Sequence, residues 1–178
     1  MKILVEAGHG KNYRQQGEYD FGSFADDGSH EAAITGAYAS RLQLVLRAHG
    51  HSSLSVREGS IVHRMRWAFM RERRIILSLH MGHDLDALPG GRVLWATDGS
   101  KAIADVVAQA LGFPAVQTGQ ETGLLRFNPS IEIELGNIAS WQDMKRLRCA
   151  SHCSDICNRI ASALTELLQE ATSSEPSS

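Results

Sequence analysis

Residues 3–10 read Ile3-Leu4-Val5-Glu6-Ala7-Gly8-His9-Gly10, and this stretch decides the fold class. An apolar run interrupted only by Glu6 is too short for a helix and lacks its period, so residues 3–7 are expected to form a buried strand that stops at Gly8-His9-Gly10. Working outward, residues 11–29 are polar and glycine-rich and read as a long loop, which a compact domain rarely keeps unless the loop builds a site. A helix follows over 31–48, with Ile34, Tyr38, Leu42 and Val45 along one side, Asp27 or Ser29 as its cap and Gly50 beyond its end.

The same alternation continues. Strands are expected at 53–57, 75–80, 93–97 and 131–135. A helix capped by Ser60 would turn Ile61, Met65, Ala68 and Phe69 inward. Another would open at Asp98-Gly99-Ser100 and run to Leu111, where Gly112 and Pro114 end it. Ser140 starts a short helix, and a long cysteine-bearing helix closes the domain near Ala171. Strands alternating with helices imply a single α/β domain over 1–171. Its twisted, mostly parallel sheet of about five to six strands would be flanked by helices on both faces. The tail at 172–178 is polar and is expected to be disordered.

The 178 residues suffice for one well-packed domain. A net charge of −2 produces no global field, so nucleic acid and a membrane surface are not expected partners, and the arginines between Arg64 and Arg74 read as one polar helix face. With no run of 18 apolar residues, no membrane span is expected. The start MKILVEAGHG lacks the apolar core and cleavage site of a secretory signal, so synthesis in the cytoplasm is expected. Cys149, Cys153 and Cys157 are spaced by four, on one helical face with Ile156, Ile160, Leu164, Leu167 and Leu168. They read as packed core thiols rather than a disulfide framework, with His152 beside them at the surface.

In sheets of this kind, sites form at the carboxyl ends of strands. His9 follows the first strand, His80 ends the third, and Glu31 begins the first long helix. Two imidazoles and one carboxylate leave a fourth position open, the pattern of a catalytic rather than a structural zinc site. His83 is a rival ligand three residues beyond His80. The strand Ile131-Glu132-Ile133-Glu134-Leu135 carries two carboxylates that a buried strand should not hold without compensation. Alternation puts both on one face, so periodicity does not separate them, although Glu134 lies nearer the carboxyl end. It could serve as a proton acceptor and donor, or simply pair with an arginine such as Arg126.

Taken together, these pieces resemble the zinc-dependent N-acetylmuramoyl-L-alanine amidases often called amidase type 3. The matching segments run in family order: ILVEAGHG at 3–10, Asp20-Phe21-Gly22, His30-Glu31, Arg64 and Ala68, ILSLH at 76–80, and LLRFNPSIEIELGNIAS at 124–140. The resemblance implies that His9, Glu31 and His80 bind Zn2+ and that Glu134 is the catalytic carboxylate. The reaction would be hydrolysis of the amide joining N-acetylmuramic acid to L-alanine in peptidoglycan. Departures at Met81-Gly82-His83-Asp84, Gly90-Gly91-Arg92-Val93 and Asn137 fall on the expected substrate groove. A phage or prophage endolysin acting on the bacterial cell wall is the expected setting. The alternatives are a zinc carboxypeptidase or related amidohydrolase, and a non-catalytic wall-binding module.

Overall fold

The apolar run at the start of the chain is strand β1 (Lys2–Ala7), buried from Ile3 onward. The computed structural model describes residues 1–11, 19–57, 74–83, 89–119, 125 and 128–173. After β1 come β2 (Gly10–Lys11), β3 (Tyr19–Asp20), α1 (Glu31–Ala48), β4 (Ser52–Arg57), β5 (Arg74–Gly82) and β6 (Arg92–Trp95). They are followed by α2 (Asp98–Leu111), β7 (Ala115–Gln117), β8 (Ser130–Asn137), α3 (Trp141–Leu147) and α4 (Ala150–Ser173).

The main sheet has six strands in the order β4-β1-β5-β8-β6-β7. The first four run parallel, β6 lies antiparallel to β8, and β7 is parallel to β6. This is the single α/β domain with a mostly parallel sheet that the alternation implied. Two elements lie outside that reading: the two-residue ribbon of β2 and β3, and β7. The three residues of β7 are all exposed, and so short a strand displays no period.

Period two sorts the central strands into two faces. Ile3, Val5 and Ala7 of β1, Ile75, Leu77, Leu79 and Met81 of β5, and Ile131, Ile133 and Leu135 of β8 join one buried core. Against it lie Ile34, Tyr38, Leu42 and Val45 of α1, Ile103 and Val107 of α2, and Ile156, Ile160 and Leu164 of α4. Both α1 and α2 also touch α4, so the three helices form one layer. The opposite face carries Leu4 and Ile76, also buried, beside a group of polar residues described below. The helix expected from Ser60 with Ile61, Met65, Ala68 and Phe69, the arginine-rich face within it and Arg126 lie outside the described residues, as do 174–178 of the tail. Among the described residues no helix is long and apolar enough to cross a membrane.

Two local expectations are corrected. The cap of α1 is His30, whose Nδ1 accepts the Ala33 N–H, rather than Asp27 or Ser29. Residues 25–29 instead close a turn on themselves, with the Asp27 carboxylate accepting the Ser29 N–H and the Ser29 carbonyl accepting the Ala25 N–H. Of the three cysteines only Cys157 is a core thiol; Cys153 is half-buried and Cys149 exposed. Cys149 sits just before α4 begins, and His152 is half-buried rather than free on the surface.

Candidate metal and catalytic site

The end of β1 and the start of α1 are fastened together before any site chemistry is considered. The Thr35 hydroxyl donates to the Gly8 carbonyl at 2.8 Å from inside the first turns of α1. The Gly8 N–H in turn donates to the Leu79 carbonyl of β5 at 2.8 Å. His9, Glu31 and His80, from three separate elements, therefore arrive at one corner of the sheet. One ligand atom from each can be chosen so that all lie within 4.8 Å of one another. Glu31 is the centre: Oε2 is 3.2 Å from His9 Nε2, and Oε1 is 3.1 Å from His80 Nδ1. Oε1 also accepts the Met81 N–H at 2.9 Å, and Oε2 the Ser23 N–H at 3.2 Å.

The backbone is shaped to allow this convergence. His9 sits at φ 64°, a left-handed conformation that L residues other than glycine adopt at a cost and that clusters at functional sites. A Cβ on Gly8 would fall 2.4 Å from the His80 ring. At Gly22, where φ is +66°, one would fall 2.7 Å from the His9 ring and 2.8 Å from Glu31 Oε2. Both positions need glycine because the imidazoles pack directly onto the main chain.

The electrostatics follow from Glu31 being almost fully buried between two imidazoles. Burial would raise its pKa, but hydrogen bonds to His80, His9 and the Met81 N–H hold it well below the usual carboxylate range. The hydrogen bond to Glu31 raises His9 to about 9, against the lowering effect of burial and with help from Asp20. Burial alone would lower His80, yet its hydrogen bond to Glu31 and the surrounding charges of Glu132, Glu6 and Glu31 raise it to about 9. Two imidazoles and a carboxylate crowded this way are the donor chemistry of a catalytic zinc centre, and a divalent cation is the species that would neutralise the buried carboxylate while displacing the imidazole protons.

Asp20 supports this cluster and was not given a role on sequence grounds. Its Oδ2 lies 2.9 Å from His9 Nδ1 and its Oδ1 accepts the Gly22 N–H at 2.9 Å. Burial opposes ionisation of Asp20, but the His9 contact and the Gly22 N–H lower its pKa, so the ionised carboxylate accepts a hydrogen bond from His9 Nδ1–H. That leaves Nε2 turned toward Glu31, the carboxylate–histidine arrangement that orients metal-binding imidazoles. The Asp-x-Gly spacing, in which an aspartate takes the N–H two residues on, was the available signal.

The strand register then ranks the remaining polar residues. Glu6 pairs with Ser78 and Ser78 with Glu132, so these form one row across β1, β5 and β8. Ser78 Oγ donates to Glu6 within that row. His80 pairs with Glu134, and Glu134 with Arg92, in the next row toward the carboxyl ends of the parallel strands. Arg92 holds Glu134 with two nitrogens, Nε at 2.5 Å and Nη2 at 2.9 Å. The arginine beside Glu134 is thus Arg92, supplied by the antiparallel strand. Glu132 stays one row back, where burial raises its pKa and nearby His80 opposes the rise. His83 is exposed and outside the cluster, and Asp84 lies outside the described residues.

Comparison with known proteins agrees with the fold. The family model described as N-acetylmuramoyl-L-alanine amidase matches residues 3–166. Among solved structures, the N-acetylmuramoyl-L-alanine amidase AmiC2 of Nostoc punctiforme superposes with a TM-score of 0.78 at 19% identity, over 95% of this chain and 97% of that one. The catalytic domain of CwlV from Bacillus (Paenibacillus) polymyxa var. colistinus gives 0.79 at 19% identity, over 94% and 98%. The catalytic domain of an endolysin targeting Clostridia difficile gives 0.74 at 15%, over 93% and 97%. No curated protein sequence matches the chain. A family match that spans nearly all of the domain, on a fold with the same extent, means that this chain belongs to the N-acetylmuramoyl-L-alanine amidase family.

Proposed function

We propose that the protein is a zinc-dependent amidase that hydrolyses the bond between N-acetylmuramic acid and L-alanine in peptidoglycan, with His9, Glu31 and His80 holding the metal and Glu134 as the catalytic carboxylate. The observation that carries this reading is the convergence of two imidazoles on one buried carboxylate, beside a second carboxylate in register with His80. When bound, zinc supplies Lewis acidity toward a carbonyl oxygen and toward water. Glu134 takes a proton from the water whose oxygen attacks the lactyl carbonyl carbon, then delivers it to the alanine nitrogen as the C–N bond breaks. Products are the lactyl carboxylate on the sugar and a stem peptide with a free L-alanine amine. Arg92 fixes the direction of the Glu134 carboxylate, and Asp20 fixes the tautomer of His9.

Mass spectrometry of purified sacculi digested with zinc-loaded protein, beside an EDTA-treated control, tests the assignment. Intact stem peptides beginning at L-alanine, absent from the control, are the expected products. Shortened stems still attached to muramic acid would point to a carboxypeptidase, and retention on sacculi without any soluble product to a wall-binding module. The proposed setting is lysis by a phage or prophage endolysin; expression behind a membrane-permeabilising partner should then clear a culture, and persistent turbidity would count against that role.

A further inference from the structure

Asp143 is a charged residue almost wholly inside the protein, 2% exposed, and the chemistry above does not use it. It lies in the first turn of α3, three residues after the cap Ser140, whose Oγ accepts the Asp143 N–H at 3.3 Å. An acidic side chain at that position ordinarily folds back onto the N–H of the capping residue. Here the Ser140 N–H donates to the Asn137 carbonyl at 3.0 Å, and the carboxylate reaches off the helix to the sheet. Its Oδ2 accepts two main-chain N–H groups, from Gly90 at 2.7 Å and from Asn137 at 2.9 Å, while Oδ1 pairs with Arg146. Two amide donors and a guanidinium are partners that make a buried carboxylate sustainable.

The two donors flank the row that holds Glu134. Gly90 lies two residues before Arg92, at the start of β6, and Asn137 ends β8 three residues after Glu134. Backbone pairing of the antiparallel strands β6 and β8 ends at Arg92 and Glu134. Beyond that row a single carboxylate oxygen holds both segments, in the place of further ladder bonds, and keeps them from splaying. The end of β8 is tied on its other side as well, where the Ile138 N–H donates to the Gly82 carbonyl at 2.9 Å, just past a register shift between β5 and β8. The Gly90-Gly91 pair suits this route. Gly90 stands at φ +132°, and a Cβ on Gly91 would collide with the Glu134 carbonyl and the Phe113 ring.

From this arrangement we propose that Asp143 is a positioning residue for the hydrolytic reaction: it ties the lead-in of β6 to the end of β8 and thereby sets the Arg92 guanidinium against Glu134. The role rests on the assignment of Glu134 as the catalytic carboxylate. Asp143 itself touches no reacting atom. The Arg92 side chain is 49% exposed, so its aim depends largely on where its backbone is held. A general base must lie within hydrogen-bond reach of the proton it takes, and a misplacement of about 1 Å costs rate out of proportion to stability. A residue that served only to cap α3 would have no bond to Gly90, which belongs to another part of the chain.

Nuclear magnetic resonance of the arginine Nε–H groups tests the tether without turnover. In wild type the Arg92 Nε–H should be shifted downfield and slow to exchange, as a proton shared with a carboxylate is. Asp143→Ala should bring it to the position and exchange rate of a solvated arginine. Asp143→Asn, whose amide oxygen can still accept both N–H groups, should keep it in place. On a soluble muramoyl peptide, Asp143→Ala should lower kcat by roughly ten- to a hundredfold with KM and bound zinc unchanged, and Asp143→Asn should recover most of that loss. In an Arg92→Ala background the same alanine substitution should cost less than about threefold more, because both changes remove one interaction. An unmoved Arg92 resonance, an equal loss of kcat in the Arg92→Ala background, or lower stability in urea with kcat unchanged would each overturn the role. If Asp143→Ala does not fold, hydrogen exchange in wild type decides: similar protection of the Gly90 and Asn137 amides supports the tether, and an unprotected Gly90 overturns it. Wild type that leaves sacculi uncut while its Arg92 resonance responds to Asp143 would bring down the amidase reading alone.

Discussion

The two faces of strands β1, β5 and β8 place the same backbone in opposite circumstances. On the helix-covered face, Val5, Leu77 and Ile133 are fully buried among apolar neighbours. One residue along, the other face carries Glu6, Ser78 and His80, then Glu132 and Glu134, with Arg92 arriving from β6. The first face needs only apolar volume and shape, so it tolerates exchange among residues of similar size. The second face keeps charge inside a fold, which is sustained only because each group meets another in register. The difference teaches that one strand can serve stability and chemistry at once, and that substitutions one residue apart should fail in different ways.

The largest contrast is expected at the ligands. His9→Ala or His80→Ala should lose bound zinc together with all turnover, by metal analysis and by dye release from labelled sacculi; full zinc retention in either would sink the ligand assignment. Glu134→Ala should keep zinc and lose turnover by roughly a hundredfold to ten-thousandfold, the usual range for a general acid–base group. Activity equal to wild type would remove Glu134 from the chemistry.

On the opposite face, Leu77→Ala should cost about 2–5 kcal/mol of unfolding free energy by urea denaturation. The fraction that remains folded should keep its zinc stoichiometry. A mild stability loss accompanied by a damaged metal site would show that the two faces are not separable. Asp20→Asn tests the support of the ligands: zinc affinity should weaken by roughly ten- to a hundredfold, measured by competition with a chelating dye.

The smallest effect expected is one of pH, and it sharpens the electrostatic side of the contrast. In metal-free protein His9 and His80 are raised from 6.5 to about 9, so their pairing with Glu31 stabilises the fold fully below pH 6.5, and the contribution is lost as pH rises through about 9. Thermal unfolding of the metal-free protein should therefore show a falling Tm across that window. Zinc bound at the proposed ligands would displace the same protons, so titrations near pH 7 in buffers of different ionisation enthalpy should report release of about two protons. An observed enthalpy independent of buffer would contradict this linkage.

Much of this was legible in one dimension. The apolar run at 3–7, the period-two strand at 131–135, and the helical spacing of Ile34, Tyr38, Leu42 and Val45 are short-range patterns, and they locate strands and helices because side-chain period is a local property of the backbone. The positions of His9 after β1, Glu31 at the start of α1 and His80 near the end of β5 were legible in the same way, because they follow from where those elements begin and end. Tertiary structure decided what such patterns do not contain: that His30 rather than Asp27 or Ser29 caps α1, that only Cys157 of the three thiols is buried, and that Asp20 stands behind His9. It also separated Glu134 from Glu132, by placing β8 between β5 and the antiparallel β6 so that His80 and Arg92 flank the former. Alternation assigns a residue to a face, but which row it occupies and which charge it meets depend on strand order and register, which are set by contacts between segments far apart in the chain.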